Sequence, residues 1–458
     1  VVFQPFATAR GWTIAPGAVI IGHRNKTKFM GGENMLQKLK SRTSAWLAGT
    51  VLAVAACALF VVSATAQNKE PIKIGFSMAL TGPLAANGKQ ALLGMKIWED
   101  ETNAKGGLLG RPVKLIYYDD QSNPSTVPGI YTKLLDVDKV DLVVGGYATN
   151  MVAPAMPVVM QKKKTFVSLF ALDVNHEFKY PKYFSVLPTG PKTKPSFTEG
   201  VFQIAMQQNP KPTTVAIAAE DAEFSRNACE GARENAKTFG TKIVYDKTFP
   251  PGTTDFSPVV RALQASNADI VILCSYPLSS VGLVLAINEL NYKPKIIGGA
   301  MVGLQATVFK SKLGPKLNGI INYETWVPSE KMMAPAADFF KKYQARAGAE
   351  GVDPLGYYLG GWGYAYINLL GESITAAKSL EDDKVADALR KGTHKTIMGD
   401  WSYGPGGEWT KSGMMQVQYH DIKEGAGLET WKGMGYQTVL TPKELATGKV
   451  IYPYEKAK

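Results

Sequence analysis

Strand-like apolar runs alternate with helical patterns along most of the chain. The runs are Ile72–Met78, Val113–Tyr118, Leu142–Gly145, Phe166–Leu169, Thr214–Ala219, Lys242–Tyr245, Ile270–Cys274 and Lys295–Gly298. Helical stretches such as Gly88–Ala104 and Asn227–Phe239 lie between them. Alternation of this kind predicts two parallel-sheet α/β layers. The most regular unit is Thr81–Asp120: a Gly/Pro loop, an amphipathic helix, a double-glycine stop and a strand ending in two acids. With the buried strand Ile72–Met78 before it, the order is strand, helix, strand, which implies a parallel pair joined by a crossover helix. A small-molecule site is expected where the first strand gives way to the helix. In that helix Leu92, Met95 and Trp98 make one apolar stripe, with Lys96, Asp100 and Asn103 facing elsewhere. Trp98 therefore reads as core. Gly106 and Gly107 supply the left-handed conformation that ends a helix.

The first segment departs from this pattern. Lys38, Lys40 and Arg42 precede an apolar run, Ala45 to Val62, and Ala64-Thr65-Ala66 follows as a small-x-small cleavage site. This three-part pattern predicts a secretory signal peptide over residues 35–66, cleaved near Ala66, and a periplasmic mature protein. An uncleaved anchor is the rival, because the apolar run is long. Val54-Ala55-Ala56-Cys57 loosely resembles a lipoprotein box, but cleavage there would leave Ala58-Leu59-Phe60-Val61-Val62 on the product. Residues 1–34 have no coherent pattern and read as a gene-model extension ahead of a start at Met30 or Met35.

The chain has 458 residues, 45% hydrophobic and 20% charged, ordinary values for a globular protein. Without residues 1–66 it carries 44 basic and 38 acidic residues, a net +6 against +12 for the whole. The excess is scattered, and the one run, Lys162-Lys163-Lys164, reads as a solvated helix end, so no nucleic-acid partner is expected. About 390 mature residues are too many for one ordinary core and suit two domains. The Pro/Gly-rich stretch Leu187–Pro195 marks a boundary near 188, and Asn322 to Pro328 is a second candidate crossing. The Gly- and aromatic-rich part around Trp401 and Trp409 reads as loops and short antiparallel strands. Cys229 and Cys274 read as two small buried residues, with a disulfide as the alternative in an exported protein.

The search for chemistry excludes more than it finds. Gly82 to Gln90 has five residues between its glycines instead of four, and Gln90 stands where Ser/Thr would hold magnesium, so it is no phosphate loop. Gly106-Gly107-Leu108-Leu109-Gly110 follows a helix, where it caps and turns. No G-x-S-x-G elbow occurs. His176, His394 and His420 are isolated, and no H-x-x-x-H or C-x-x-C occurs in the mature chain, so no metal or cofactor is expected. Asp119-Asp120 reads as turn-capping. Without a catalytic constellation the chain is expected to bind, not to catalyse.

Thr81-Gly82-Pro83-Leu84-Ala85, Gly88, Gly106-Gly107, Leu109-Gly110-Arg111 and Asp119-Asp120 resemble the N-terminal lobe of the periplasmic solute-binding proteins of branched-chain amino acid-type ABC transporters. Lys139-Val140-Asp141, Val144-Gly145-Gly146 and Thr253-Thr254-Asp255-Phe256-Ser257 match further on. The resemblance spans nearly all of residues 70–440. No single motif is specific; their order and spacing are. It implies a type I periplasmic binding protein: two Rossmann-like α/β lobes joined by three hinge crossings. Lobe 1 is then 70–188 with 324–415, and lobe 2 is 189–323 with 416–458. A solute would bind between them by hinge closure.

The resemblance also implies the site. The loops Tyr147-Ala148-Thr149-Asn150 and Phe170-Ala171-Leu172-Asp173 would hold the ligand's charged groups. Thr149 matches a family Ser/Thr that binds carboxylate, and a position at a helix N-terminus would favour an anion; a plain N-cap is the other reading. Amino-acid binders carry a Thr where this chain has Leu172, and a Glu facing the ammonium where it has Ala300. Phe224, Tyr276 and Tyr357, the last beside Tyr358 ahead of a helix at Gly360–Leu370, would add aromatic walls. The expectation is a monomeric solute-binding protein that takes a small organic acid, an aromatic carboxylate, and delivers it to a membrane permease. A branched-chain or other amino-acid binder, and a ligand-sensing receptor lobe of the same fold, are the alternatives.

Overall fold

The computed structural model describes residues 70–458. The signal-peptide, anchor and gene-model expectations for residues 1–66 lie outside that range. The first sheet is built from β1 (Ile72–Met78), β2 (Val113–Asp119), β3 (Leu142–Tyr147), β4 (Phe166–Leu169) and β5 (Tyr183–Ser185), in the order β2-β1-β3-β4-β5. All its pairs are parallel, and β1 meets β2 in the register Ile72↔Val113 to Met78↔Asp119. The crossover helix predicted between β1 and β2 is present, as Ala85–Ala104.

More of that helix is buried than one stripe. Leu92, Met95 and Trp98 are in the core as expected, but so are Leu93 and Ile97. A second helix, Gly360–Ala377, covers its other side. Small residues let the backbones approach: a Cβ on Gly94 would lie 2.2 Å from the Gly360 carbonyl oxygen, and one on Gly363 would lie 2.3 Å from that of Ala91. The helix ends as expected, with Gly106 at φ 94° and Gly107 at φ 79°. The Gly107 N–H donates to the Thr102 carbonyl at 2.9 Å, which satisfies a carbonyl that the ended helix would orphan.

The second sheet contains β6 (Thr214–Glu220), β7 (Lys242–Phe249), β8 (Ile270–Ser275), β9 (Ile296–Met301) and β10 (Ile321–Glu324). After β11 (His394–Thr396) and β12 (Gly399–Trp401), which form a separate antiparallel pair, β13 (Met415–Tyr419) and β14 (Gln437–Thr441) join it. The order is β14-β13-β10-β9-β8-β6-β7, parallel from β7 to β10 and antiparallel beyond. Fully buried strands such as Ile270–Ser275 are apolar on both faces because helices cover both.

Cys229 and Cys274 are disulfide-bonded, which corrects the reading of two independent buried residues. The helix Glu223–Thr238 packs across β8 and sets their Cα atoms 6.0 Å apart, within the span a disulfide needs. Sequence spacing holds no record of that helix-on-strand contact. No helix among the described residues is long and apolar enough to cross a membrane.

Candidate functional site: an aromatic cavity at the strand ends

In open parallel sheets, ligands bind outside the carboxyl ends of the strands. Both sheets here deliver their strand ends to one place. From the first sheet come Tyr147, the last residue of β3, then Ala148 and Thr149, with Phe170 after β4 and Leu187 after β5. From the second come Phe224 after β6, Tyr276 after β8, Val302 after β9 and Tyr323 within β10. Phe197 and Tyr358 complete the wall around a cavity of about 10 Å³, at the lower limit for one water molecule. Ligand pockets run to roughly 300–1,000 Å³, so these walls are packed together and must part to admit a ligand.

Aromatic edges and faces form most of the surface. Phe170 packs on Tyr358 with centroids 5.7 Å apart, and Tyr147 meets Tyr358 edge-on at 6.3 Å. Opposite them, Phe197 packs against Tyr323 at 4.7 Å and Phe224 at 5.3 Å, and Phe224 packs against Tyr276 at 5.6 Å. Two of the lining residues hold left-handed backbone without being glycine: Ala148 at φ 84° and Phe170 at φ 52°. Such conformations cost of order 1–3 kcal/mol each and cluster at ligand sites.

No acid and no base lines the cavity. Its polar groups are hydroxyls. The Tyr147 hydroxyl accepts from Asn87 Nδ2 at 3.0 Å and lies 3.2 Å from that of Tyr358, which lies 3.5 Å from that of Tyr323. The Tyr276 hydroxyl donates to Asn150 Oδ1. Burial pushes the Tyr147 hydroxyl up to about 12 and holds those of Tyr276, Tyr323 and Tyr358 well above the usual tyrosine value, so all four stay protonated. Two acids, Glu220 and Glu223, line an adjoining recess that shares only Tyr276 with the cavity. Glu220 accepts the Tyr276 backbone N–H at 2.8 Å, and burial raises the pKa of both carboxyls.

A larger recess, about 520 Å³, lies elsewhere, between Asp173, Lys192, Lys194, Glu199 and Glu230. Both its lysines are ion-paired, Lys194 with Asp173 at 3.4 Å and Glu230 at 2.8 Å and Lys192 with Glu199 at 3.5 Å, and with Glu234 the acids outnumber them. It reads as a solvated, ion-paired groove.

Six of the residues singled out from the sequence therefore meet at the cavity: Tyr147, Ala148, Thr149, Phe170, Phe224 and Tyr276. Four do not. Ala171 and Leu172 are fully buried behind the wall. Ala300 is still inside β9, paired with Cys274, because that strand runs on to Met301. Val302 is the residue that emerges at the cavity. Tyr357 turns away: its hydroxyl donates to the Lys432 carbonyl at 3.0 Å and its ring packs on Trp326 and Phe340. Its neighbour Tyr358 faces in.

Thr149 reaches the cavity by a different device from the one expected. The helical turn it starts, Thr149–Val152, has four residues, too few for a strong dipole, and its side chain caps nothing. Its Oγ1 accepts the Leu172 backbone N–H at 3.0 Å, and its own proton finds no acceptor among the described residues. Leu187, Phe197, Val302 and Tyr323 line the cavity without having been selected from the sequence, and Tyr358, named there only beside Tyr357, is the one of the two that lines it. The strand-end rule, applied to β10, could have found Tyr323; nothing local marks Phe197.

Two parallel-stranded α/β layers whose strand ends enclose a small, uncharged aromatic cavity define a protein built to bind a small molecule. The chain belongs to the periplasmic binding protein family, whose pattern it matches over residues 71–423. That is a family of solute-binding proteins that serve ABC transporters, not of enzymes. The Leu/Ile/Val-binding protein homolog 2 of Brucella abortus is 24% identical over 374 residues, 81% of this chain and 96% of that one. A branched-chain amino acid transporter substrate-binding protein from Streptococcus pneumoniae, solved with isoleucine, superposes with a TM-score of 0.67 at 20% identity, over 81% of this chain and 100% of that one. A solute-binding protein of an ABC transporter from R. palustris, solved with 4-hydroxybenzoate, superposes with a TM-score of 0.66 at 21% identity, over 78% of this chain and 94% of that one.

Proposed function

We propose that this protein captures a small aromatic carboxylic acid in the cavity and hands it to the membrane permease of an ABC importer. Capture occurs by hinge closure of two lobes, residues 70–188 with 324–415 and 189–323 with 416–458. The protein works as a monomer after export and cleavage near Ala66.

One observation carries the reading: the cavity wall is aromatic and uncharged, with an unspent hydroxyl proton on Thr149. Ring faces suit an aromatic body. The Thr149 O–H, with the N–H groups of Thr149 and Asn150 that start the turn and lack a carbonyl one turn back, suits a carboxylate. An α-amino acid also brings an ammonium. Neither Leu172 nor Ala300 reaches the cavity, so the exclusion of an ammonium rests on the lining itself, which offers no acid. A buried charge without its partner costs about 3–5 kcal/mol. The R. palustris neighbour solved with 4-hydroxybenzoate is consistent with an aromatic acid in this fold.

A second reading, a branched-chain amino acid, has an observation in its favour besides the names of the curated relatives. Glu220 and Glu223 lie just beyond Tyr276, where rotation of that ring would bring an ammonium to a carboxylate. A calorimetric and thermal-shift screen separates the two. Benzoate-type acids should stabilise the protein, by about 2.7 kcal/mol at 100 times the Kd. Strong stabilisation by leucine or valine with none by benzoates would overturn the proposal.

A further inference from the structure

Three tyrosine hydroxyls stand in a row in the cavity wall, Tyr147, Tyr358 and Tyr323, joined by two contacts of 3.2 and 3.5 Å. Each hydroxyl has one proton to give. Two contacts use two protons, so one proton of the row is left over whichever way the chain runs. No protein acceptor for it exists among the described residues, and all three rings line the cavity.

Asn87 decides where that proton emerges. Its Nδ2 donates to the Tyr147 oxygen at 3.0 Å, from the first turn of the helix Ala85–Ala104. Tyr147 then accepts from Asn87 and gives its proton to Tyr358, which gives its own to Tyr323. Every oxygen then accepts once, and Tyr147 and Tyr358 each donate once, the arrangement in which successive bonds strengthen one another. The opposite polarity would load two donors onto Tyr147 and none onto Tyr323. The spare proton therefore sits on Tyr323. Thr149 holds a second one, since its oxygen accepts from Leu172 and its O–H gives to nothing.

We infer that the ligand carries two separate acceptor groups, a carboxylate and a further ring oxygen, and that the Tyr147–Tyr358–Tyr323 chain, set by Asn87, selects for the second. This inference rests on the aromatic-acid reading and deepens it to hydroxylated or oxo-substituted aromatic acids. Tyr323 is the specificity-determining residue, and Asn87 is a positioning residue that acts through Tyr147. An acid with a methyl group in place of that oxygen leaves the Tyr323 proton buried and unpaired, and sites built around a substrate hydroxyl reject such analogues strongly.

The test is calorimetry on the full mature protein with 3- and 4-hydroxybenzoate, each against the methyl isostere at the same position. One hydroxy isomer should bind at least about tenfold tighter than its methyl counterpart. Tyr323→Phe moves the spare proton back to Tyr358 and should cut that ratio severalfold. Asn87→Leu should also cut it, whereas a merely structural role for Asn87 would weaken both ligands equally and leave the ratio intact. If the benzoates bind but no isomer discriminates, or if the ratio is unchanged in Tyr323→Phe, the inference is overturned while the aromatic-acid reading stands. If no benzoate binds and leucine does, the underlying reading fails, and the inference with it.

Discussion

The Thr149 hydroxyl oxygen accepts the backbone N–H of Leu172 at 3.0 Å, which ties the loop after β3 to the loop after β4 at the edge of the cavity that Thr149 lines. One side chain thus serves both fold and ligand. Thr149→Val should lose both roles. A hydrogen bond to a charged group is worth about 1.5–3 kcal/mol, so carboxylate affinity should fall roughly 10- to 100-fold. The orphaned Leu172 N–H should cost about 1–3 kcal/mol of stability. Thr149→Ser keeps the hydroxyl and should keep most of each. Calorimetry and urea unfolding on the two variants check the pair of effects.

Tyr276 and Asn150 make a polar contact from the second sheet's strand ends to the first's. Hydrogen bonds of this kind contribute about 0.5–1.5 kcal/mol. Tyr276→Phe and Asn150→Ala should each speed ligand release several-fold in stopped-flow measurements. The double variant should release no faster than the worse single one, because both remove the same contact. Additive effects would show that the two side chains act independently.

The Cys229–Cys274 disulfide closes a 45-residue separation within the second layer, beside Phe224 and Tyr276. Chain-entropy arithmetic for a loop of that size gives about 4 kcal/mol, and measured bridges deliver about 2–4. Dithiothreitol, or replacement of both cysteines by alanine, should lower the urea midpoint accordingly. An unchanged midpoint would mean that the bridge is dispensable.

Asp120 is fully buried behind β1, with Oδ1 accepting the Ser122 N–H at 2.9 Å and Oδ2 without a partner. Burial raises its pKa from 3.8 to about 6. The sign follows from proton counting: between those values the folded state holds a proton that the unfolded state has lost, so its contribution is full below 3.8 and fades as pH rises through about 6. Asp120→Asn removes the titration and retains an acceptor for Ser122. The variant should gain on the wild type from pH 4 to 7, by on the order of 2–3 kcal/mol, and the difference should level off above that. Parallel urea titrations across this range read the result.

Local pattern carried much of the fold. β1 and β4 have the bounds that their apolar runs predict, β2, β3, β6 and β8 run one or two residues further, β7 runs four further, and β9 starts one residue later and ends three later, because an apolar run between turn signals is a property of consecutive residues. The crossover helix and its double-glycine end were legible for the same reason. The family resemblance, and not local pattern alone, pointed to six of the eleven residues that line the cavity: Tyr147, Ala148, Thr149, Phe170, Phe224 and Tyr276, which sit at or just after strand ends.

What the sequence could not decide depends on partners far away in the chain. Tyr357 and Tyr358 are adjacent and chemically identical, yet only Tyr358 faces the cavity, because Trp326 and Phe340 claim the other ring. Whether the turn at the end of β9 exposes Ala300 or Val302 depends on how far the pairing with β8 continues. Cys229 meets Cys274 only because one helix lies across one strand. Asn87 reaches Tyr147 across 60 positions, and Tyr147 reaches Tyr358 across 211. The sequence by itself determined the elements and their order, since periodicity and turn chemistry are local, and the resemblance of its motifs pointed to the family. The tertiary structure alone decided which side chains share the cavity and how their protons are spent, since those facts exist only once the strand ends of both sheets meet.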